Sequence, residues 1–412
     1  MSTGVQSISI SLGDAEGVRT RDLRQRSSVL VGDDAVYVGE ADGTVSAYDI
    51  VDGERLWSVE GRGNVVSLDE RGGRLIVGER AEGGVVRSLD KENGETGWSY
   101  ETSHDVGEAT KDHQLYYPYV VDVVADDTVY AVSRRYDRGE SRSWSCCVYA
   151  FDDAGEVLWR YENDASPINA SLREDGERLA VGFNRAGESH DNGLVVLDTE
   201  TGDLSMTWDP GTQGNRRVGD VSFSGDEIGV ASHGDYSGYL LSGAGGEVWR
   251  REISAKRDVD GDTVYAYPNH VHASDDAVVF VTGNTYAEET RKPDSLHPRE
   301  NSLIAYSSDG EELWEDDLGG FSQRISYDSG VLGVASAQNL RTRDPDVHGV
   351  KIYDTQAESN PVIDHLHTEG VVTAVDVDSE SRRFAAVEEP MEYDDEDGLR
   401  GEYRLHVGGM DV

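Results

Sequence analysis

Short apolar runs separated by polar turns recur along the whole chain, in the pattern typical of β-strands. An early stretch contains SVLVGDD, then AVYVGEA, and then the pair of runs in SAYDIVDGERLW. The last two runs predict a β-hairpin, because an Asp/Gly turn with a glycine available for positive φ separates them. The unit that repeats along the chain is therefore a set of four short strands.

Tryptophan marks the fourth strand of most of these units. Five of the tryptophans follow a glycine with the spacing Gly-x-x-x-Trp, and a sixth stands in a similar context without that spacing. Aromatic side chains at equivalent positions of a repeat are expected to pack between neighbouring sheets. The predicted packing residues are Trp57, Trp98, Trp159, Trp208, Trp249 and Trp314.

The repeats predict an all-β fold, an eight-bladed β-propeller of four-stranded antiparallel blades, with seven blades as the alternative. A period of about 40 residues with four strands is typical of propeller blades, because one blade cannot bury both faces of its sheet alone. The last repeat lacks a fourth strand, and residues 5–12 are predicted to supply it and close the ring. We expect one domain over residues 1–412, with blades at about 29–61, 64–102, 119–162, 167–209, 217–253, 269–317, 321–366 and 371–409.

Net charge adds a prediction about the environment. The chain has 81 acidic and 37 basic residues, a formal charge of -44, and the acids are spread along its whole length. Acid-rich, lysine-poor surfaces are typical of extreme halophiles, in which molar salt screens self-repulsion. The charge also argues against nucleic-acid binding. With no signal peptide and no apolar run of about 20 residues, a haloarchaeal cytoplasmic protein without membrane insertion is predicted.

The hairpins resemble the PQQ-like repeat of quinoprotein-type and BamB-like propellers. That repeat has an Ala-Tyr-Asp strand end, a Thr-Gly turn and then Trp, and Tyr48-Asp49 with Gly53 and Trp57 are similar to it. The resemblance covers nearly all of the chain. It implies that the tryptophans dock neighbouring blades, and it raises two functions: a protein-binding scaffold, or an alcohol or sugar dehydrogenase using pyrroloquinoline quinone (PQQ) and calcium.

The residues favour the scaffold over the enzyme. Alcohol-oxidising relatives carry a vicinal disulfide against the quinone, but Cys146 and Cys147 run directly into a strand and are interpreted as reduced thiols. His270 and His272 share one strand face at the predicted central channel, where a metal would need a further ligand such as Asn169 or Asp220. Hydrogen-bonded channel histidines are the favoured interpretation. We therefore predict no metal and no cofactor, with a PQQ- or metal-dependent oxidoreductase, or another small-molecule enzyme, in the channel as the alternative.

Long loops suggest where a partner would bind. The second-to-third-strand loops of the third, fourth, sixth, seventh and eighth repeats are long, as are the connections after the second and fifth repeats. All are expected on one face of a propeller, and they collect arginine and tyrosine, which are enriched at interface hot spots. This face is predicted to bind another protein or peptide through Tyr116, Tyr117, Tyr119, Arg134, Arg135, Tyr136, Arg138, Arg142, Trp144, Lys256, Arg257, Tyr265, Tyr267, Tyr286, Arg291, Lys292, Arg299, Arg341 and Arg343.

Overall fold

The computed structural model describes residues 7–14, 26–290, 294–337, 339, 341–357, 361–392 and 398–410. Almost every element in these ranges is a β-strand, as the alternating pattern predicts. The short helix α1 (Ser103–Val106) and two 3₁₀ turns, Gln114–Tyr116 and Pro345–Val347, are the helical elements of this described part. In the described residues, no helix has the length and apolar character needed to cross a membrane.

The strands of the first part of the chain are β1 (Ile8–Gly13), β2 (Ser28–Val31), β3 (Ala35–Gly39), β4 (Val45–Asp49), β5 (Arg55–Val59), β6 (Asn64–Arg71), β7 (Arg74–Arg80), β8 (Val85–Asp90), β9 (Thr96–Glu101), β10 (Tyr119–Ala125), β11 (Val129–Arg138), β12 (Arg142–Phe151), β13 (Val157–Asn163), β14 (Ser166–Leu172), β15 (Arg178–Arg185), β16 (Leu194–Asp198) and β17 (Leu204–Trp208). Those of the remainder are β18 (Val218–Ser224), β19 (Glu227–Ser232), β20 (Ser237–Leu241), β21 (Glu247–Glu252), β22 (Arg257–Val259), β23 (Asp262–Tyr265), β24 (Pro268–Ala273), β25 (Val278–Thr282), β26 (Tyr286–Ala287), β27 (Ser302–Tyr306), β28 (Glu312–Asp317), β29 (Ser322–Asp328), β30 (Val331–Ser336), β31 (Gly349–Asp354), β32 (Val362–His367), β33 (Val371–Asp378), β34 (Arg383–Glu389), β35 (Met391–Glu392), β36 (Leu399–Arg400) and β37 (Tyr403–Gly409).

Four-stranded antiparallel sheets are the repeating unit, with strands that follow each other in sequence lying side by side. β2 to β5, β14 to β17, β18 to β21 and β29 to β32 each form such a sheet. β6 to β9 and β10 to β13 are two similar sets, joined where Tyr119 of β10 pairs with Arg80 of β7. The predicted four-strand repeat is confirmed in these sheets.

The N-terminal strand completes the last sheet. β1 pairs antiparallel with β37, with Ile8 opposite Val407 and Ser11 opposite Arg404. The sheet order is β1-β37-β34-β33, so the strand predicted at residues 5–12 is observed at Ile8–Gly13. This confirms that the start of the chain supplies the strand that the last repeat lacks.

The chain divides into two compact units. Unit 1 comprises Met1–Val65 and Leu313–Val412, and unit 2 comprises Val66–Glu312. The number of blades and their organisation as a single domain stay predictions.

In unit 2, tryptophans of one sheet pack against the turn glycine of the next sheet. A Cβ placed on Gly155 would lie 2.5 Å from the Trp98 ring, and one on Gly202 would lie 2.7 Å from the Trp159 ring. Both glycines have positive φ, +80° and +76°, so a side chain is disfavoured by conformation as well as by space. The turn glycine is thus also the surface on which the neighbouring sheet docks.

Trp208 is placed differently from Trp98 and Trp159. Met206 pairs with Val196 at the position that Trp159 takes opposite Ala150, and Met206 is the residue that meets Gly245 of the next sheet. Trp208 lies two residues further along and contacts Tyr239 edge to face, with ring centroids 4.9 Å apart. The fourth residue after the turn glycine Gly202 is Met206, whereas Trp208 is the sixth. Met206 therefore takes the position that tryptophan has in the Gly-x-x-x-Trp repeats.

Candidate partner-binding site

In unit 2, the start of each sheet's first strand and the end of its second strand lie on the same side. In each antiparallel sheet the first strand begins where the second strand ends, as at Tyr119 opposite Arg134. Neighbouring sheets are tied there, because Arg134 Nη1 donates to Ser166 Oγ at 2.5 Å and Asn184 Nδ2 donates to the Val218 carbonyl at 3.1 Å. We call this side the loop end of unit 2.

Much of the predicted loop structure at this end is folded into strands. The segment of the third repeat predicted as a long loop is a continuation of the β11–β12 hairpin, in which Tyr136 pairs with Trp144 and Arg138 with Arg142. The connection after the fifth repeat forms the β22–β23 hairpin, and β26 extends it to three strands. Loop prediction was wrong in these segments because cross-strand pairs, not apolar runs, stabilise these polar strands.

Two aromatic clusters lie at the loop end. The first is a row in which Tyr136 stacks on Tyr116 at 5.7 Å and contacts Trp144 at 5.9 Å, while Lys111 Nζ lies 4.4 Å from the centre of the Tyr116 ring. We call Tyr116, Tyr136 and Trp144 the aromatic row.

The second cluster, the tyrosine cluster, consists of Tyr236, Tyr265, Tyr267 and Tyr286. Each member has a ring neighbour between 4.7 and 5.9 Å away, and Tyr267 also packs on His233 at 4.7 Å. Burial raises the pKa of Tyr236 to about 12, so its hydroxyl stays a neutral hydrogen-bond donor. The Tyr286 side chain is 39% exposed, so the cluster is accessible from solvent.

Three arginines, Arg142, Arg185 and Arg216, lie near the two clusters. Arg185 at the end of β15 forms an isolated β-bridge with Arg216, and the Arg216 guanidinium lies 4.9 Å from the centre of the Tyr267 ring. Burial and the nearby charges of Arg216 and Arg142 lower the pKa of Arg185, and Tyr267 and Tyr136 also face it. Arg185 and its neighbours therefore adjoin both clusters.

Sequence reasoning missed Arg216 and Tyr236, because neither belongs to one of the long segments singled out by length. It missed Arg185 although this residue lies in the long segment of the fourth repeat, from which no residue was selected as a candidate. The available signal was NRRV, two adjacent arginines in an acid-rich chain at the start of a predicted first strand.

Several predicted partner residues are used inside the protein. Tyr119 is buried, with the Arg80 guanidinium 4.0 Å and that of Arg134 5.2 Å from its ring centre. Arg135 Nε donates to the Val106 carbonyl at 2.8 Å. Arg299 Nη2 pairs with Glu312 at 2.6 Å and its Nη1 donates to the Tyr306 hydroxyl at 3.2 Å.

The other predicted partner residues differ in exposure and location. Tyr117 donates to Asp112 at 2.7 Å, and Lys256 forms an ion pair with Glu288. Arg138 and Arg257 are exposed in unit 2, whereas Arg341 and Arg343 are exposed in unit 1. Arg291 and Lys292 lie outside the described residues.

The predicted channel residues link neighbouring first strands. Asp220 Oδ2 accepts from the Val271 backbone N–H at 3.0 Å and lies 3.6 Å from His270 Nδ1, while Asn169 Nδ2 donates to the Val221 carbonyl at 2.9 Å. The described residues contain no group of three or more His, Cys, Asp or Glu side chains arranged to hold a metal. Asn169 and Asp220 therefore have structural partners in the adjacent sheets.

Acid is expected to destabilise the protein through His272. Burial lowers the pKa of His272 to about 3 in the folded protein, whereas an unfolded histidine titrates near 6.5. The unfolded state therefore binds more protons between these values, and stability falls as pH drops below about 6.5. From pH 7 to pH 5 we expect His272 to account for a loss of about 2 kcal/mol. Urea unfolding at both pH values measures this loss of stability in the wild type and in His272→Gln. The control is His104→Gln, because His104 is exposed. An equal pH dependence of the wild type and both variants would contradict the prediction.

Cys146 and Cys147 are free, as predicted, and both are buried. They are consecutive in β12, and their side chains enter different cores: Cys146 packs with Val181 and Cys147 with Val123. Burial raises the pKa of Cys147 to about 12, which keeps the thiol protonated. A vicinal disulfide lying against a quinone does not fit this arrangement.

The comparisons with known proteins agree with the repeat. The sequence profile of the family described as outer membrane protein assembly factor BamB matches residues 14–136 and 71–287. No curated protein matches the chain.

Similar solved structures share the fold at low sequence identity. BamB from Moraxella catarrhalis is 16% identical, with 99% of this chain and 98% of that chain covered and a TM-score of 0.60. The computationally designed protein Ika8 is 14% identical over 97% and 99%, also at 0.60. Quinohemoprotein alcohol dehydrogenase from Comamonas testosteroni is 12% identical over 98% of this chain and 76% of that chain, at 0.60. The chain is a PQQ-like β-propeller protein and belongs to the BamB family.

Proposed function

We propose that the chain is a non-catalytic protein-binding scaffold or assembly subunit that engages its partner with the loop end of unit 2. The observation that carries this proposal is that the aromatic row and the tyrosine cluster both lie at the loop end, with Tyr136 of the row and Tyr267 of the cluster both near Arg185. Tyrosine, tryptophan and arginine are the residue types that dominate binding energy at protein interfaces. The family description, which names an assembly factor, also supports such a role.

Rigidity makes this surface suited to recognition. Tyr136 and Trp144 stand on paired strands, and Tyr265 and Tyr286 pair across β23 and β26. Side chains held by strand pairing lose little conformational entropy when a partner binds. The partner is proposed to be another protein or peptide, and no quinone or metal is assigned. The haloarchaeal origin and cytoplasmic location inferred from the sequence stay predictions.

Truncating the tyrosine cluster is expected to release the partner. Tyr265→Ala combined with Tyr286→Ala should weaken binding at least about thirtyfold, since loss of a hot-spot side chain costs about 2 kcal/mol or more. The test is affinity capture from the source organism, identification by mass spectrometry, and titration of the purified partner against wild type and variant. Arg134 and Arg135 are poor choices for this test because their substitution would remove internal hydrogen bonds.

Leu158→Ala is the matched control, because Leu158 is 58% exposed on the outer strand β13 of the same unit. It should leave the affinity unchanged. Equal affinity of the tyrosine variant and the control would show that the loop end does not carry binding.

A further inference from the structure

Arg185 and Arg216 place positive charge in a strongly acidic protein where the described part of the chain supplies no ion-pair partner. Although the chain has 81 acidic residues for 37 basic ones, neither arginine forms an ion pair with any described residue. The next residue, Arg217, behaves differently: it is buried, and its Nε lies 2.6 Å from Asp209 Oδ2. Among the described residues, the bridged Arg185 and Arg216 thus have no carboxylate partner, although the adjacent Arg217 has one. A contribution to folding stability does not explain this difference.

The backbone holds the two guanidiniums side by side. Arg185 and Arg216 are opposite each other in an antiparallel bridge, a position in which like charges repel. Their described side-chain hydrogen bonds go to neutral amides: Arg185 Nη1 donates to Asn215 Oδ1 at 2.9 Å, and Arg216 Nη1 donates to Asn184 Oδ1 at 3.3 Å. These amides fix the orientation of the guanidiniums but do not neutralise their charge.

Asn184 connects the two arginines to the neighbouring sheet, β18 to β21. Its Nδ2 lies 3.1 Å from the Val218 carbonyl and 2.9 Å from His233 Nδ1. The Tyr267 ring packs on His233, and the Arg216 guanidinium lies over the same ring. The arginines are therefore held by an organised set of neighbours, as a binding site requires.

We propose that Arg185 and Arg216, with Arg142 beside them, bind a carboxylate group from an acidic segment of the partner protein; this inference rests on the proposed function. A guanidinium donates paired N–H groups that match the two oxygens of a carboxylate. A bound carboxylate relieves the repulsion across the bridge. Nucleic acid is the less favourable anion, because the net charge of -44 repels a long polyanion.

Direct titration with a synthetic hexaglutamate peptide tests the site without the natural partner. In a salt concentration at which circular dichroism shows the wild type folded, hexaglutamate should bind and hexaglutamine should not. Arg185→Gln and Arg216→Gln should each weaken binding about tenfold or more. The control is Arg178→Gln, because Arg178 stands at the opposite end of the same strand, β15.

Thermal unfolding separates binding from a structural role. Removing one like charge should leave the unfolding temperature of Arg185→Gln unchanged or higher, whereas loss of a structural arginine would lower it. Citrate in place of the peptide distinguishes the source of the carboxylate. Arginine-dependent citrate binding without peptide binding overturns the assignment to a partner segment.

The experiments distinguish failure of the carboxylate-binding site from failure of the proposed scaffold function. If hexaglutamate does not bind, or binds all the variants equally, while Tyr265→Ala with Tyr286→Ala still releases the identified partner, the carboxylate site is wrong and the scaffold proposal stands. If hexaglutamate binding depends on the arginines while the tyrosine variant keeps its partner, the carboxylate site stands and the proposed mode of partner binding is wrong.

Discussion

Glu79→Gln is expected to destabilise the protein by about 3–5 kcal/mol, because it leaves the buried charge of Arg87 without its counterion. Arg87 Nε lies 2.6 Å from Glu79 Oε1, and the two side chains are 7% and 0% exposed. They stand on the paired strands β7 and β8. The measurement is the free energy of unfolding from urea titration followed by circular dichroism.

The same pair of strands supplies the control. Arg74 lies 3.8 Å from Asp90 in a more exposed ion pair, with side chains 47% and 31% exposed. Arg74→Ala should cost less than about 1 kcal/mol, since solvent screens exposed pairs. Replacing both Glu79 and Arg87 with methionine should cost less than Glu79→Gln alone, because no unpaired charge then remains. A Glu79→Gln protein as stable as Arg74→Ala would refute the buried-pair argument.

Gly155→Ala is expected to destabilise the protein by about 2–5 kcal/mol. An L-residue at φ +80° costs about 1–2 kcal/mol, and the added methyl group would lie 2.5 Å from the Trp98 ring, which adds an overpacking cost of about 1–3 kcal/mol. The loss should be seen as a lower urea midpoint.

Gly211→Ala separates the two contributions. Gly211 has a similar φ, +70°, but no atom lies within 4 Å of a Cβ placed there. It should therefore show only the conformational cost of about 1–2 kcal/mol. The difference between the two variants measures the docking contact between neighbouring sheets, and no difference would mean that this contact contributes nothing to stability.

The candidate site was partly predictable from sequence. Tyr136, Trp144, Tyr265 and Tyr286 were predicted as surface aromatics and do lie in the two clusters at the loop end. Tyr119 was expected to face a partner, but it is buried beneath two arginines. Composition and segment length indicate which residue types are present, whereas burial depends on what the neighbouring sheet places over them.

Local chemistry explains which features the sequence determined by itself. Alternating apolar positions and Gly-x-x-x-Trp spacing act within one hairpin, so they predicted the four-strand sheets, and the unmatched last repeat predicted the pairing of β1 with β37. The tertiary structure alone decided that Met206 docks in place of Trp208 and that Arg185 meets Arg216. Both features depend on contacts between segments distant in sequence, whose relative placement is set by sheet packing and not by any local pattern.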